Sequence, residues 1–146
     1  MPFVADALIT LAWAFDEVHP RAVLARERLR TDEAVVPSLW WFELRNALVI
    51  GERRERLTEG DTAIFLRSIG SLAVTVDRVP DETAVLTLAR RYRLTVYDAA
   101  YLELALRETL PPATLDGAPH KCCTRRESGI DRRWRCVSHL IPCSVV

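Results

Sequence analysis

Four carboxylates in this sequence have the spacing of a chemical site: Asp6, Glu43, Asp98 and Asp116. Three of them close short apolar runs. Asp6 follows Phe3-Val4-Ala5, Asp98 follows Leu94-Thr95-Val96-Tyr97, and Asp116 follows Ala113-Thr114-Leu115. Glu43 sits in the apolar stretch opened by Leu39-Trp40-Trp41-Phe42. Carboxylates at the ends of several parallel strands gather in one crevice beyond the sheet. Such a cluster repels itself unless a hard divalent cation neutralises it. The chemistry that follows is metal-assisted cleavage of a phosphodiester bond.

Each aspartate also has a plainer role open to it. Aspartate is a favoured helix N-cap, and each of the three precedes a candidate helix. The two roles are compatible, because a strand-end carboxylate can lie beside a helix N-terminus. Glu43 is harder to explain that way. From Leu39 to Ile50 the polar residues are Glu43, Arg45 and Asn46. A helix that apolar is expected to be largely buried, and a buried carboxylate needs a partner or a metal. Asn46, three residues on, shares its face; an ion pair with Arg45 is the structural alternative. Trp40 and Trp41 read as core, and His19 as structural. Tyr97 and Tyr101 flank Asp98, either lining the site or packing in the core. Arg53, Arg54 and Arg56 complement a helix C-terminus. There is no dinucleotide fingerprint, P-loop, nucleophile elbow or H-E-x-x-H motif.

The elements that must position these groups alternate along the chain. Strands are expected at residues 3–6, 34–36, 73–76, 95–97 and 112–115. The expected helices begin near Leu8, at Pro20, after Ser38 as N-cap, after Thr58 with Asp61 completing a capping box, at Pro80-Asp81-Glu82 and at Ala99. Short buried strands alternating with helices predict an α/β fold with a mainly parallel sheet. Asp6, Asp98 and Asp116 then all fall at carboxyl ends of strands.

A chain of 146 residues with 49% hydrophobic residues suits one domain with one core. No apolar run approaches the roughly 20 residues of a membrane span. The N-terminus has no basic region before an apolar one, so no signal peptide is expected and a cytoplasmic location follows. The formal net charge is zero. It is unevenly spread: residues 117–146 hold six basic and two acidic side chains, residues 1–116 hold 14 and 18. A nucleic acid would therefore be held by a local arginine patch, not by the net field. Cys122, Cys123, Cys136 and Cys143 fit no zinc-ligand spacing and read as incidental thiols.

The ordered set of these pieces resembles the PIN-domain ribonucleases, in particular the VapC-type toxins of toxin–antitoxin pairs. The resemblance spans residues 1–116. It rests on Val4-Ala5-Asp6, on Pro37-Ser38-Leu39-Trp40-Trp41-Phe42-Glu43 with Asn46-Ala47-Leu48, on Leu94-Thr95-Val96-Tyr97-Asp98-Ala99-Ala100-Tyr101-Leu102-Glu103-Leu104-Ala105, and on Ala113-Thr114-Leu115-Asp116. It implies a three-layer fold with a short, mainly parallel sheet flanked by helices. It implies Mg²⁺ or Mn²⁺ held by Asp6, Glu43 and Asp98, with Asp116 as a second-metal or outer ligand, and Asn46 orienting Glu43. It also implies an RNA substrate, a homodimer and a VapB-like antitoxin covering the acidic groove.

The chain departs from that family after Asp116, where a Cys- and Arg-rich tail replaces the expected helix and final strand. The abrupt change in composition leads to the hypothesis that the reading frame shifts near Gly117. Translating the coding DNA in the other two frames beyond codon 116 tests it: absence of an amphipathic helix and an apolar strand in both sinks the idea. Two other functions fit part of the pattern. A phospho-acceptor receiver domain also gathers aspartates at parallel strand ends, but that site uses a lysine, and residues 1–116 contain none. A PIN-like protein that binds its antitoxin without cleaving RNA shares every feature above.

Overall fold

The computed structural model describes residues 1–115. Asp116 and the tail, with the expectations attached to them, lie outside the described residues. The elements run β1 (Phe3–Ala5), α1 (Ala7–Ala14), α2 (Pro20–Arg28), β2 (Ala34–Pro37), α3 (Leu39–Arg53), α4 (Glu59–Gly70), β3 (Val74–Asp77), α5 (Glu82–Tyr92), α6 (Val96–Arg107) and β4 (Pro112–Ala113). The fold is α/β, and its helices flank a short sheet in a PIN-like three-layer arrangement.

The sheet has the order β3-β2-β1-β4, and all of its pairings are parallel. Phe3 lies opposite Ala34, Val4 between Val35 and Pro112, and Ala5 opposite Ala113. β1 is therefore central, which explains why it is apolar without alternation: both of its faces are covered. α6 packs on β1 and β2, while α1 packs against α2 and α3. The main core joins Phe3, Val4 and Ile9 to Trp40, Leu44 and Leu48 of α3 and to Tyr101 and Leu104 of α6. A smaller cluster of Val85, Ala99 and Ala100, with Leu39, Leu88 and Leu94 packed on it, seals α5 against α6.

Local signals set most boundaries. Pro20 stands in the first turn of α2, with His19 as N-cap accepting from the Arg21 N–H through Nδ1 at 3.3 Å. Thr58 and Asp61 form the expected capping box of α4. Asp81 caps α5 by accepting from the Ala84 N–H at 3.0 Å.

Three expectations are corrected. The strand expected at residues 95–97 is absent: Thr95 is the N-cap of α6, and residues from Val96 onward are helical. Thr, Val and Tyr favour strands as a triplet. Here Arg93, in the left-handed region at φ 56°, ends α5, and the Thr95–Asp98 cap then starts the next helix at once. Ser38 precedes α3, but its backbone is already helical (φ −56°, ψ −30°) and its side chain makes no capping bond. A capping side chain needs the extended conformation to reach back to the first turn. Finally, α3 is buried along one stripe, through Trp40, Leu44, Leu48 and Gly51, and not all round. Trp41, Phe42 and Val49 on its other side are exposed.

A candidate acidic site at the edge of the sheet

Asp6 is the residue immediately after β1 and is only 2% exposed. Its backbone N–H donates to the Ala113 carbonyl at 3.1 Å, which keeps it in line with the sheet. Its carboxylate accepts from two donors. The Leu8 N–H reaches Oδ1 at 3.3 Å, and the Thr114 hydroxyl reaches Oδ2 at 3.3 Å. Asp6 thus caps α1 and also terminates the central strand. The capping role expected of it holds, and it stands at the strand end where the sequence placed it.

Glu43 enters from α3. Its Oε2 accepts a hydrogen bond of 2.6 Å from the Tyr101 hydroxyl of α6. Tyr101 is 2% exposed and belongs to the main core. Burial above all, then the hydrogen bond and charge of Glu43 and the charge of Asp6, push its phenol far above the usual tyrosine range; the Ala7 backbone acts in the opposite sense. Tyr101 is therefore a permanent hydrogen-bond donor, and both Asp6 and Glu43 lie close enough to act on it. The hydrogen bond seen on Glu43 comes from Tyr101, not from the expected Asn46, whose side chain is exposed. Arg45 turns to Trp41: its guanidinium lies 3.8 Å from that ring's centroid and donates to the Trp41 carbonyl at 3.2 Å.

Asp98 sits in the first turn of α6 and not at a strand end. Its carboxylate accepts from the Thr95 hydroxyl at 2.7 Å, while its N–H donates to Thr95 Oγ1 at 3.1 Å. It precedes Tyr101 by three residues on the same helix, the spacing that puts two side chains on one face. Glu43 is thus bonded to Tyr101, the Asp6 charge acts on the same phenol, and Asp98 lies one turn away along α6. Among the described residues, no three His, Cys, Asp or Glu side chains form a group able to hold a metal ion. Asp116 lies beyond the described residues, although Thr114, two positions before it, bonds Asp6.

Several contributing residues gave little sign in the sequence. Thr114 serves Asp6 as a donor. The Arg21 guanidinium donates to the Thr114 carbonyl at 3.4 Å, tying α2 to the end of β4. Buried Thr10 donates to the Asp6 carbonyl at 3.4 Å and accepts from Trp40 Nε1 at 3.2 Å. A polar residue next to an apolar strand end was the only available signal for Thr114; Arg21 and Thr10 had none. Asp77, the last residue of β3, is a strand-end carboxylate that stood out less. Arg107 pairs with it at 2.7 Å and with buried Glu103 at 2.7 Å, so this pair fastens α6 to the sheet. Tyr97 is exposed at the start of α6.

No family model matches the chain, and no curated protein matches it significantly. No helix among the described residues is long and apolar enough to cross a membrane.

Proposed function

We propose that this chain is a metal-dependent endoribonuclease, the toxin of a type II toxin–antitoxin pair. The observation that carries the reading is buried Asp6, at the carboxyl end of the central parallel strand, whose charge acts on the same Tyr101 phenol that donates to half-buried Glu43. Nearby carboxylates raise each other's energy unless something neutralises them. Their donor set is oxygen only, which fits Mg²⁺ or Mn²⁺. Asp6, Glu43 and Asp98, which form no metal-holding group by themselves among the described residues, would hold the ion with Asp116 as an outer ligand. A bound ion would supply charge neutralisation at the phosphate and lower the pKa of a water.

The chain's own residues perform the positioning. Thr114 and the Leu8 N–H fix both oxygens of Asp6. Tyr101 holds Glu43. Asp98 is steadied by Thr95 in the first turn of α6. RNA is the substrate in this reading, a VapB-like antitoxin covers the acidic site, and the toxin works as a cytoplasmic homodimer.

The test is cleavage of RNA by purified protein with Mn²⁺. Asp6→Asn and Asp98→Asn should each lower cleavage by at least roughly a hundredfold. Activity surviving both substitutions sinks the metal-site reading. One observation favours a second reading, a PIN-like protein that binds its antitoxin without cleaving RNA: the Asp98 carboxylate is engaged in its own helix cap. Wild-type protein that binds the antitoxin and cleaves nothing would establish it.

A further inference from the structure

We infer that Tyr101 is the positioning residue of the acidic site, setting the orientation of the Glu43 carboxylate through its buried hydroxyl. The inference rests on the nuclease reading above. A glutamate on a helix has three side-chain torsions, and its last one is a broad rotor. Left to solvent, such a carboxylate is spread over many orientations. Tyr101 removes that freedom: a rigid ring with two torsions, packed in the core, ends in a hydroxyl 2.6 Å from Glu43 Oε2.

The helix that carries Glu43 is pinned beside this bond by a second one. Trp40 Nε1, three residues earlier on α3, donates to buried Thr10 on α1 at 3.2 Å. Thr10 in turn donates to the Asp6 backbone carbonyl. The first turns of α3 are therefore tied to α6 through Tyr101 and to the Asp6 segment through Trp40. This linkage joins the start of α3 to the backbone of the Asp6 segment. Donors behind a metal-binding carboxylate orient it, and their loss typically weakens metal affinity or activity roughly 10- to 100-fold. Among the described residues, Tyr101 holds that place for Glu43, with a single oxygen atom as the functional part of its side chain.

Tyr101→Phe removes that atom and keeps the ring, so the core remains filled. The experiment measures Mn²⁺ binding by calorimetry, and RNA cleavage, for wild type, Tyr101→Phe, Glu43→Gln and the double variant. Tyr101→Phe is expected to weaken Mn²⁺ binding about tenfold. It should lower kcat with KM for RNA unchanged. In the Glu43→Gln background the same substitution should change Mn²⁺ binding by less than about twofold, because its effect passes through Glu43. Equal losses in both backgrounds would show a purely structural tyrosine and overturn the inference. So would unchanged Mn²⁺ binding in the single variant. Wild-type protein that neither binds Mn²⁺ nor cleaves RNA overturns the nuclease reading, and this inference with it; binding without coupling overturns this inference alone.

Discussion

Asp6 is both the residue that ends the central strand and the N-cap of α1. Its Oδ1 satisfies an orphan N–H of α1, and its Oδ2 takes the Thr114 hydroxyl. The low exposure of Asp6 makes each donor count more than it would in water. Thr114→Val removes one donor while keeping the shape. At 3.3 Å the bond is long, so a loss of about 1 kcal/mol is expected, measured as a lower denaturant midpoint. Thr114→Ser, which keeps the hydroxyl, should stay close to wild type. Equal midpoints for the Val and Ser variants would show that the hydroxyl contributes nothing to Asp6. Asp98 behaves differently from Asp6, because it is less buried and shares its cap reciprocally with Thr95.

At the level of elements, capping decided what β-propensity left open. The run Leu94-Thr95-Val96-Tyr97 has the composition of a strand, yet Thr95 and Asp98 close a reciprocal cap and a helix follows. A full capping box, in which the Thr58 N–H also donates to Asp61, starts α4, and there the pattern was legible because no strand-like run competed with it. Hydrogen bonds from Thr58 lower the Asp61 carboxyl below the ordinary value of 3.8. A carboxylate with a depressed folded value stabilises the fold above its unfolded value and loses that contribution as pH falls through the folded value. The cap of α4 should therefore persist at pH 3.8 and open only below it. NMR titration of Asp61 checks this, and Thr58→Ala should return its midpoint toward 3.8. A midpoint unmoved by Thr58→Ala would contradict the capping account.

Among the described residues, the exposed side of α3 stands out. Phe42 is 69% exposed and Trp41 45%, their rings meeting edge to face at 5.0 Å, with Val49 further along the helix. Contiguous exposed aromatics of this kind mark interaction surfaces, and this one adjoins the helix turn that carries Glu43. If the chain dimerises as proposed, this exposed side is the surface to test for the contact. Light scattering should then give twice the monomer mass for wild type and a monomer for Trp41→Ala/Phe42→Ala. A wild-type monomer, or a double variant that remains dimeric, removes α3 from that role. The Arg107 pairs with Asp77 and Glu103 work at the same scale. The Asp77 pair links the end of α6 to the outermost strand, while the Glu103 pair lies within the helix and orients Arg107 toward it.

The sequence by itself determined the α/β class, the central apolar strand before Asp6, and the starts of α2, α4 and α5. Each of these follows from local chemistry: proline geometry, caps, and apolar runs too short to be helices. It also singled out Glu43, because a carboxylate within so apolar a stretch needs a partner. Only the tertiary structure decided who that partner is. Tyr101 lies 58 positions away in the chain, and no spacing rule connects a tyrosine in one helix to a glutamate in another. The same holds for Thr114 on Asp6 and for the exposed side of α3. Long-range contacts arise from how helices pack around the sheet, and the sequence carries that information only through the sum of many weak contacts.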